Sequence, residues 1–166
     1  MDAEQVAQIF NFLPKEVTTL LLAMLPILEL RGAIPWALAS PPFGGGLDWQ
    51  SAYLFAVIGN FLPVIPILLL LEPVSNRLRN IRIFDRFFDW LFKRTRRRGK
   101  MIEKYEMLGL MLFVGIPLPV TGAWTGAVAA FIFGVRFLQS VTSIILGICI
   151  SGVIVTLASL GVIAIF

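Results

Sequence analysis

The chain has 166 residues, of which 58% are apolar and only 14% charged, and its mean hydropathy is +0.87. Soluble domains are about 45–50% apolar and about 25% charged, and a chain this short has a high surface-to-volume ratio that needs polar cover. The composition therefore excludes a soluble globule and leaves lipid as the phase the surface must face. There is no histidine, which removes the usual general base, pH switch and zinc ligand. The one cysteine, Cys149, cannot form an intrachain disulfide.

In chain order, the acidic start Met1-Asp2-Ala3-Glu4 does not read as a cleaved signal. Residues 2–12 carry Val6, Ile9 and Phe10 at helical spacing, which predicts a short interfacial helix closed by Pro14. Val17–Leu28 is an uncharged run of twelve residues containing Pro26, about half a bilayer as a helix. Glu29-Leu-Arg31-Gly32-Ala-Ile-Pro35 follows, then Trp36–Ala39 and a Pro/Gly loop, Ser40–Gly46. Ser51–Leu71 predicts a spanning helix of 21 residues, softened by Pro63 and Pro66 and ended by Glu72-Pro73.

Residues 74–106 hold most of the positive charge: 11 of the 14 Lys and Arg residues lie between Arg77 and Lys104. Within them Phe84, Phe87, Phe88 and Leu91 predict an amphipathic surface helix. The basic run 93–100, with Arg94, Arg96, Arg97 and Arg98, is expected to bind anionic lipid rather than nucleic acid and to lie in the cytoplasm. Met107–Val135 is uncharged but broken at Pro117, Pro119 and Gly122 into arms 107–116 and 122–135. Phe137–Phe166 is a second uncharged span.

The order of elements thus repeats: surface helix, proline-broken apolar segment, spanning helix, over about 1–73 and 74–166 of a single transmembrane domain, 1–166. Arg31-Gly32-Ala33 and Thr121-Gly122-Ala123 lie 90 residues apart in corresponding places. If the broken segments cross the bilayer, there are four spans and both termini are cytoplasmic. If they are re-entrant hairpins, the two halves form an inverted repeat; the arm lengths favour the hairpins. The expected fold is therefore an all-α integral membrane protein of the cell membrane, multi-pass.

Two constellations carry the chemistry. Glu29 and Arg31 are charges inside apolar sequence, where a lone charge costs ~2.5–3.5 kcal/mol or more. Pro26, Gly32 and Pro35 predict non-helical backbone around them, which would put both side chains on one face of an extended strand. In the second, Thr121 is expected to cap the helix after Pro117-Leu-Pro119, with Thr125 one turn on, Trp124 beside it, and Gly122, Gly126, Ala130 and Gly134 forming a small-residue packing stripe. Asn60, Ser151, Thr156 and Ser159 are expected to hydrogen-bond between helices. No Gly-rich phosphate loop, Ser–His pair or metal-ligand cluster occurs in the sequence, so no catalytic residue, metal or cofactor is expected, and the chain does not read as an enzyme.

The segments Pro26–Pro35 and Gly115–Gly126 resemble the two signature segments of the putative small multi-drug export protein family, with Val120 departing from the small residue expected there. That family in turn resembles the DedA superfamily and its lipid-scrambling relatives. The resemblance implies two re-entrant hairpins, an inverted repeat and proton-coupled transport or lipid translocation. The combined reading is a small transporter using Glu29, Arg31, Gly32, Pro35, Pro117, Pro119, Thr121, Gly122, Trp124 and Thr125. Glu29 would carry the proton, while Arg31 and the Thr121 helix start would hold an anionic group such as a lipid phosphate. Competing readings are export of lipophilic cations walled by Trp36 and Trp124, a non-transporting scaffold, and a membrane hydrolase. Expected partners are membrane lipids, an amphipathic substrate, protons and a second copy in a homodimer.

Overall fold

Prolines and glycines divide the apolar sequence into short helices and long ones. The computed structural model describes residues 13–78, 106–117 and 121–165. Among them lie α1 (Lys15–Met24), α2 (Glu29–Leu38), α3 (Trp49–Phe61), α4 (Val64–Leu78), α5 (Glu106–Gly115), α6 (Ala123–Phe133) and α7 (Phe137–Ile165). Every regular element among the described residues is a helix. The predicted surface helices at 2–12 and 84–91, the basic run with Arg94, Arg96, Arg97 and Arg98, and Pro119 lie outside the described residues.

The short helices come in pairs. α1 starts after Pro14, whose carbonyl accepts from the Thr18 amide at 3.0 Å. It stops four residues short of the expected Leu28, because Pro26 drives Leu25 into extended backbone (ψ 132°). A tight turn then leads into α2. At 10 residues each, both arms rise ~15 Å, half of a ~30 Å hydrocarbon core. The second pair, α5 and α6, matches the expected arms to within one or two residues at each end.

Trp49–Leu71 and Phe137–Val162 are each long and apolar enough to cross a membrane. The first is not one regular helix: it breaks at Leu62-Pro63 between α3 and α4. Pro63 and Pro66 lack the N–H groups that the Gly59 and Leu62 carbonyls would otherwise receive. Nor does it end at Glu72-Pro73 as expected. α4 runs through Pro73 to Leu78, since an internal proline removes one donor without forbidding the turns beyond it.

The chain forms two compact units, residues 1–62 with 148–166, and residues 63–147. In the first, α1, α2 and α3 pack on one another through small side chains. Ala23, Ala33, Ala37, Ala52 and Ala56 are fully buried, and Gly59 approaches the Leu20 carbonyl so closely that a Cβ there would collide with backbone. Gly152 of α7 meets Tyr53 and Val57, and the Tyr53 hydroxyl donates to the Cys149 carbonyl at 3.2 Å. In the second unit α6 packs on α4 and α5, and Val114 seats against Gly126 and Gly147. Lipid-embedded helices gain little from hydrophobic transfer between them, so close backbone approach is what holds such contacts.

The small-residue stripe of α6 holds at Gly122, Gly126 and Ala130, all buried. Gly134 departs from it. It is exposed, has φ +70° and closes α6, with its N–H on the Phe131 carbonyl and the Val135 N–H on the Ala130 carbonyl.

Two outcomes follow from this packing. Gly59→Ala should lower the thermal unfolding midpoint in detergent by several degrees, the effect of overpacking by roughly 1–3 kcal/mol. Gly161→Ala, inside α7 where a Cβ meets open space, should not lower it. Equal midpoints would remove the close α1–α3 contact. At the start of α3 the Asp48 carboxylate accepts from the Ser51 amide at 3.0 Å, and this bond holds its pKa below the usual carboxylate range. A lowered folded-state pKa means the cap stabilises fully above the unfolded value of about 3.9. That stabilisation is lost as pH falls through the folded value. The stability gap between wild type and Asp48→Ala, measured across a pH series, should therefore be constant near neutrality and shrink below pH ~4.

Candidate functional site

Glu29 is the least ordinary residue of the first unit. Its amide closes the turn on the Leu25 carbonyl at 2.9 Å, and the Gly32 amide reaches the Leu28 carbonyl at 2.8 Å, which starts α2. Leu28 is right-handed helical, whereas Glu29 has φ +45°. A non-glycine residue in left-handed backbone costs on the order of 1–2 kcal/mol. Gly32 makes room for the turn: a Cβ there would lie 2.9 Å from Leu28 Cβ.

This corrects the expectation of extended backbone from Glu29 to Arg31. α2 is helical from Glu29 onward, with a single off-helix residue at its start. Residues i and i+2 of a regular helix point about 200° apart. Because Glu29 does not follow the helical conformation, its carboxylate still meets the Arg31 guanidinium, Oε2 to Nη2 at 3.5 Å. The Glu29 side chain is 8% exposed and that of Arg31 32%. The acid lies beneath and the cation nearer the surface.

The remaining charges among the described residues of this unit are Lys15, Glu16 and Asp48. Lys15 and Glu16 begin α1 and Asp48 follows α2, so all three lie one arm's length, ~15 Å along a helix axis, from the turn. Pro35 lies inside α2 and cannot send an N–H to the Arg31 carbonyl. Trp36 is two turns along α2 from Glu29, beside Gly45.

The second constellation lies in the other unit. Pro117 follows α5. Thr121 does not cap α6: Gly122 is the N-cap residue, without a side-chain cap. The Thr121 hydroxyl instead donates back across the turn to the Ile116 carbonyl at 3.0 Å. The Thr125 hydroxyl donates to the Gly122 carbonyl at 3.2 Å. Both hydroxyl protons are thus engaged by backbone carbonyls. Trp124 is half-buried in the first turn of α6. The two Gly-Ala matches fall differently on their helices: Arg31 is two residues inside α2, whereas Thr121 lies two residues before α6. The sequence correspondence is therefore one helical turn out of structural step.

Among the spanning-helix polar residues, the Ser159 hydroxyl bonds its own helix, at the Val155 carbonyl, 2.8 Å away, rather than a neighbour. Asn60 Oδ1, Thr156 Oγ1 and Ser143 Oγ are buried, and no hydrogen-bond partner for them occurs among the described residues. Ser143 and the Tyr53 bond were not anticipated from sequence. A serine or tyrosine in an apolar helix carries no local mark of which face it occupies.

The sequence profile of the family described as Putative small multi-drug export protein matches residues 29–154, beginning at Glu29 and covering the second arm of the first proline-broken segment and the whole of the second segment. The chain belongs to this family. No curated protein and no solved structure matches it. Membership of a small multi-drug export family, together with two helical stretches long and apolar enough to cross a bilayer, makes it a membrane protein.

The ion pair generates a double-mutant cycle. Removing one partner of a buried pair costs ~3–5 kcal/mol, and less where one side chain is a third exposed. Arg31→Gln alone should therefore destabilise the solubilised protein more than the double variant Glu29→Gln/Arg31→Gln. Additive losses would show that the two side chains do not interact.

Proposed function

We propose that the chain is a proton-coupled membrane transporter, and that the Glu29–Arg31 pair is its coupling element. The observation that carries this reading is a buried carboxylate in strained backbone, salt-bridged to a more exposed guanidinium, at the turn of two half-bilayer helices. Intramembrane charges are expensive, and they mark substrate or proton paths in many transporters. Strained backbone likewise concentrates where a site must change state. In this reading each short pair is a re-entrant hairpin, the two halves form an inverted repeat of DedA-like type, and the basic segment 74–106 is cytoplasmic.

Charge balance argues for an anionic substrate. With Glu29 ionised, the empty pair is neutral. With Glu29 protonated, the site is left with the Arg31 charge, which attracts one phosphate or carboxylate group. The loaded site, holding proton, guanidinium and monoanion, is again neutral. Both forms avoid moving net charge through a low-dielectric region. The greater exposure of Arg31 supports the same assignment, since the substrate meets the cation first. An amphipathic anion such as a lipid phosphate fits these terms. The second reading, export of lipophilic cations, is favoured by the family's description; it requires Arg31 to swing away and leave Glu29 as the counter-charge. In neither reading does the chain catalyse a covalent step.

Transport assays in proteoliposomes separate these readings. Under an imposed pH gradient, wild-type protein should move a short-chain lipid phosphate with no dependence on membrane potential. Glu29→Gln should abolish the pH dependence, and Arg31→Ala should lower anion transport at least tenfold. Efflux of an ethidium-like cation that survives Arg31→Ala would reverse the assignment in favour of drug export. Wild-type rates retained in both variants would remove the pair from any transport role.

A further inference from the structure

The loop Ser40–Gly46 has the composition of a flexible linker but not its structure. Four amides fold back onto carbonyls within or just before the loop. Gly44 N–H reaches the Ser40 carbonyl, Gly45 the Trp36 carbonyl at 2.9 Å, Gly46 the Ala39 carbonyl at 2.9 Å and Leu47 the Ala37 carbonyl at 2.8 Å. The Trp36 and Ala37 carbonyls near the end of α2 are thereby satisfied by the loop itself.

Each glycine is required by this close approach. A Cβ on Gly44 would run into the Ala39 and Trp36 carbonyls, one on Gly45 would lie 3.0 Å from the Ala37 carbonyl, and Gly46 has φ +66°. Such backbone is over-determined rather than loose. The loop then holds Phe43 at its apex, 88% exposed, between exposed Pro42 and buried Gly44.

The surroundings identify what covers that ring. Gly32–Leu47 contains no charged residue, so the loop offers water almost nothing. Five residues beyond Phe43 the Asp48 carboxylate is exposed, and Trp49, 53% exposed, opens the first long apolar stretch. A carboxylate beside an exposed tryptophan at the start of a span marks the headgroup level of a bilayer, where aromatic rings concentrate.

We infer that the 40–46 loop is a rigid wedge that seats Phe43 in the interfacial layer of the membrane, at the end of the first unit where α3 begins. With Trp49 it forms a two-point aromatic anchor that sets the depth of the α1–α2 pair. The occupant is lipid, and the wedge acts whatever the substrate is.

Spin labelling tests this directly. Cys149 engages Tyr53 through its backbone carbonyl, which Cys149→Ser retains, so a background without cysteine is accessible. In that background Phe43→Cys, nitroxide-labelled and reconstituted in phosphatidylcholine/phosphatidylglycerol vesicles, should collide with oxygen severalfold more than with a water-soluble nickel chelate. It should report a depth between the phosphates and a label at Leu54→Cys. Adding Gly44→Ala should shift the Phe43 label toward water. A nickel-accessible label at Phe43 overturns the proposal. So does dipolar broadening that disappears on dilution with unlabelled protein, since a second copy would then cover the ring. An unshifted label in the Gly44→Ala variant overturns the rigidity on which the wedge depends.

Discussion

Away from water, every backbone N–H and C=O must find its partner within the protein, and the helix ends are where that demand is hardest to meet. This chain meets it locally at one break after another. Leu25 and Glu29 close the first turn on the Leu22 and Leu25 carbonyls. Thr18 and Thr19 fold their hydroxyls onto carbonyls one turn back. The loop after α2 returns its amides to the Trp36, Ala37 and Ala39 carbonyls, and Gly134 closes α6. These bonds satisfy part of the demand at the helix ends within the chain itself.

Once the breaks are satisfied, small residues decide how closely the helices approach. Alanines fill the contacts among α1, α2 and α3, and glycines admit the Leu20 carbonyl at one place and the Val114 side chain at another. Large apolar side chains such as Leu54, Leu69, Leu146 and Leu157 are exposed instead. Large groups such as Leu30, Ile34, Ile144 and Ile148 are buried as well, but the many exposed ones suit a surface bathed by lipid rather than water.

The ion pair depends on both conditions. A satisfied turn lets Glu29 take its left-handed conformation, and the missing side chain at Gly32 leaves space for Leu28 to fold over it. The result is a carboxylate that is buried yet matched by a guanidinium two residues away. The strained turn is thus what positions the pair.

Composition and charge placement alone established the membrane class, the apolar stretches and the breaks near Pro26 and Pro117, because lipid solvation and proline stereochemistry act through local sequence. The pairing of half-length arms was legible from Pro26 and from Pro117 and Gly122, and Glu29 and Arg31 stood out as charges flanked by apolar runs. Only the tertiary structure decided the rest. It showed that Glu29 departs from the helix alone while Arg31 is helical, and that Thr121 turns back to Ile116 instead of capping α6. It showed Gly134 ending a helix rather than packing one, and α4 continuing past Pro73. It also showed that a glycine run which reads as a linker is tied down at every residue. These outcomes turn on which carbonyl lies within reach of which donor, and that distance is set by helix packing, which residue spacing along the chain does not encode.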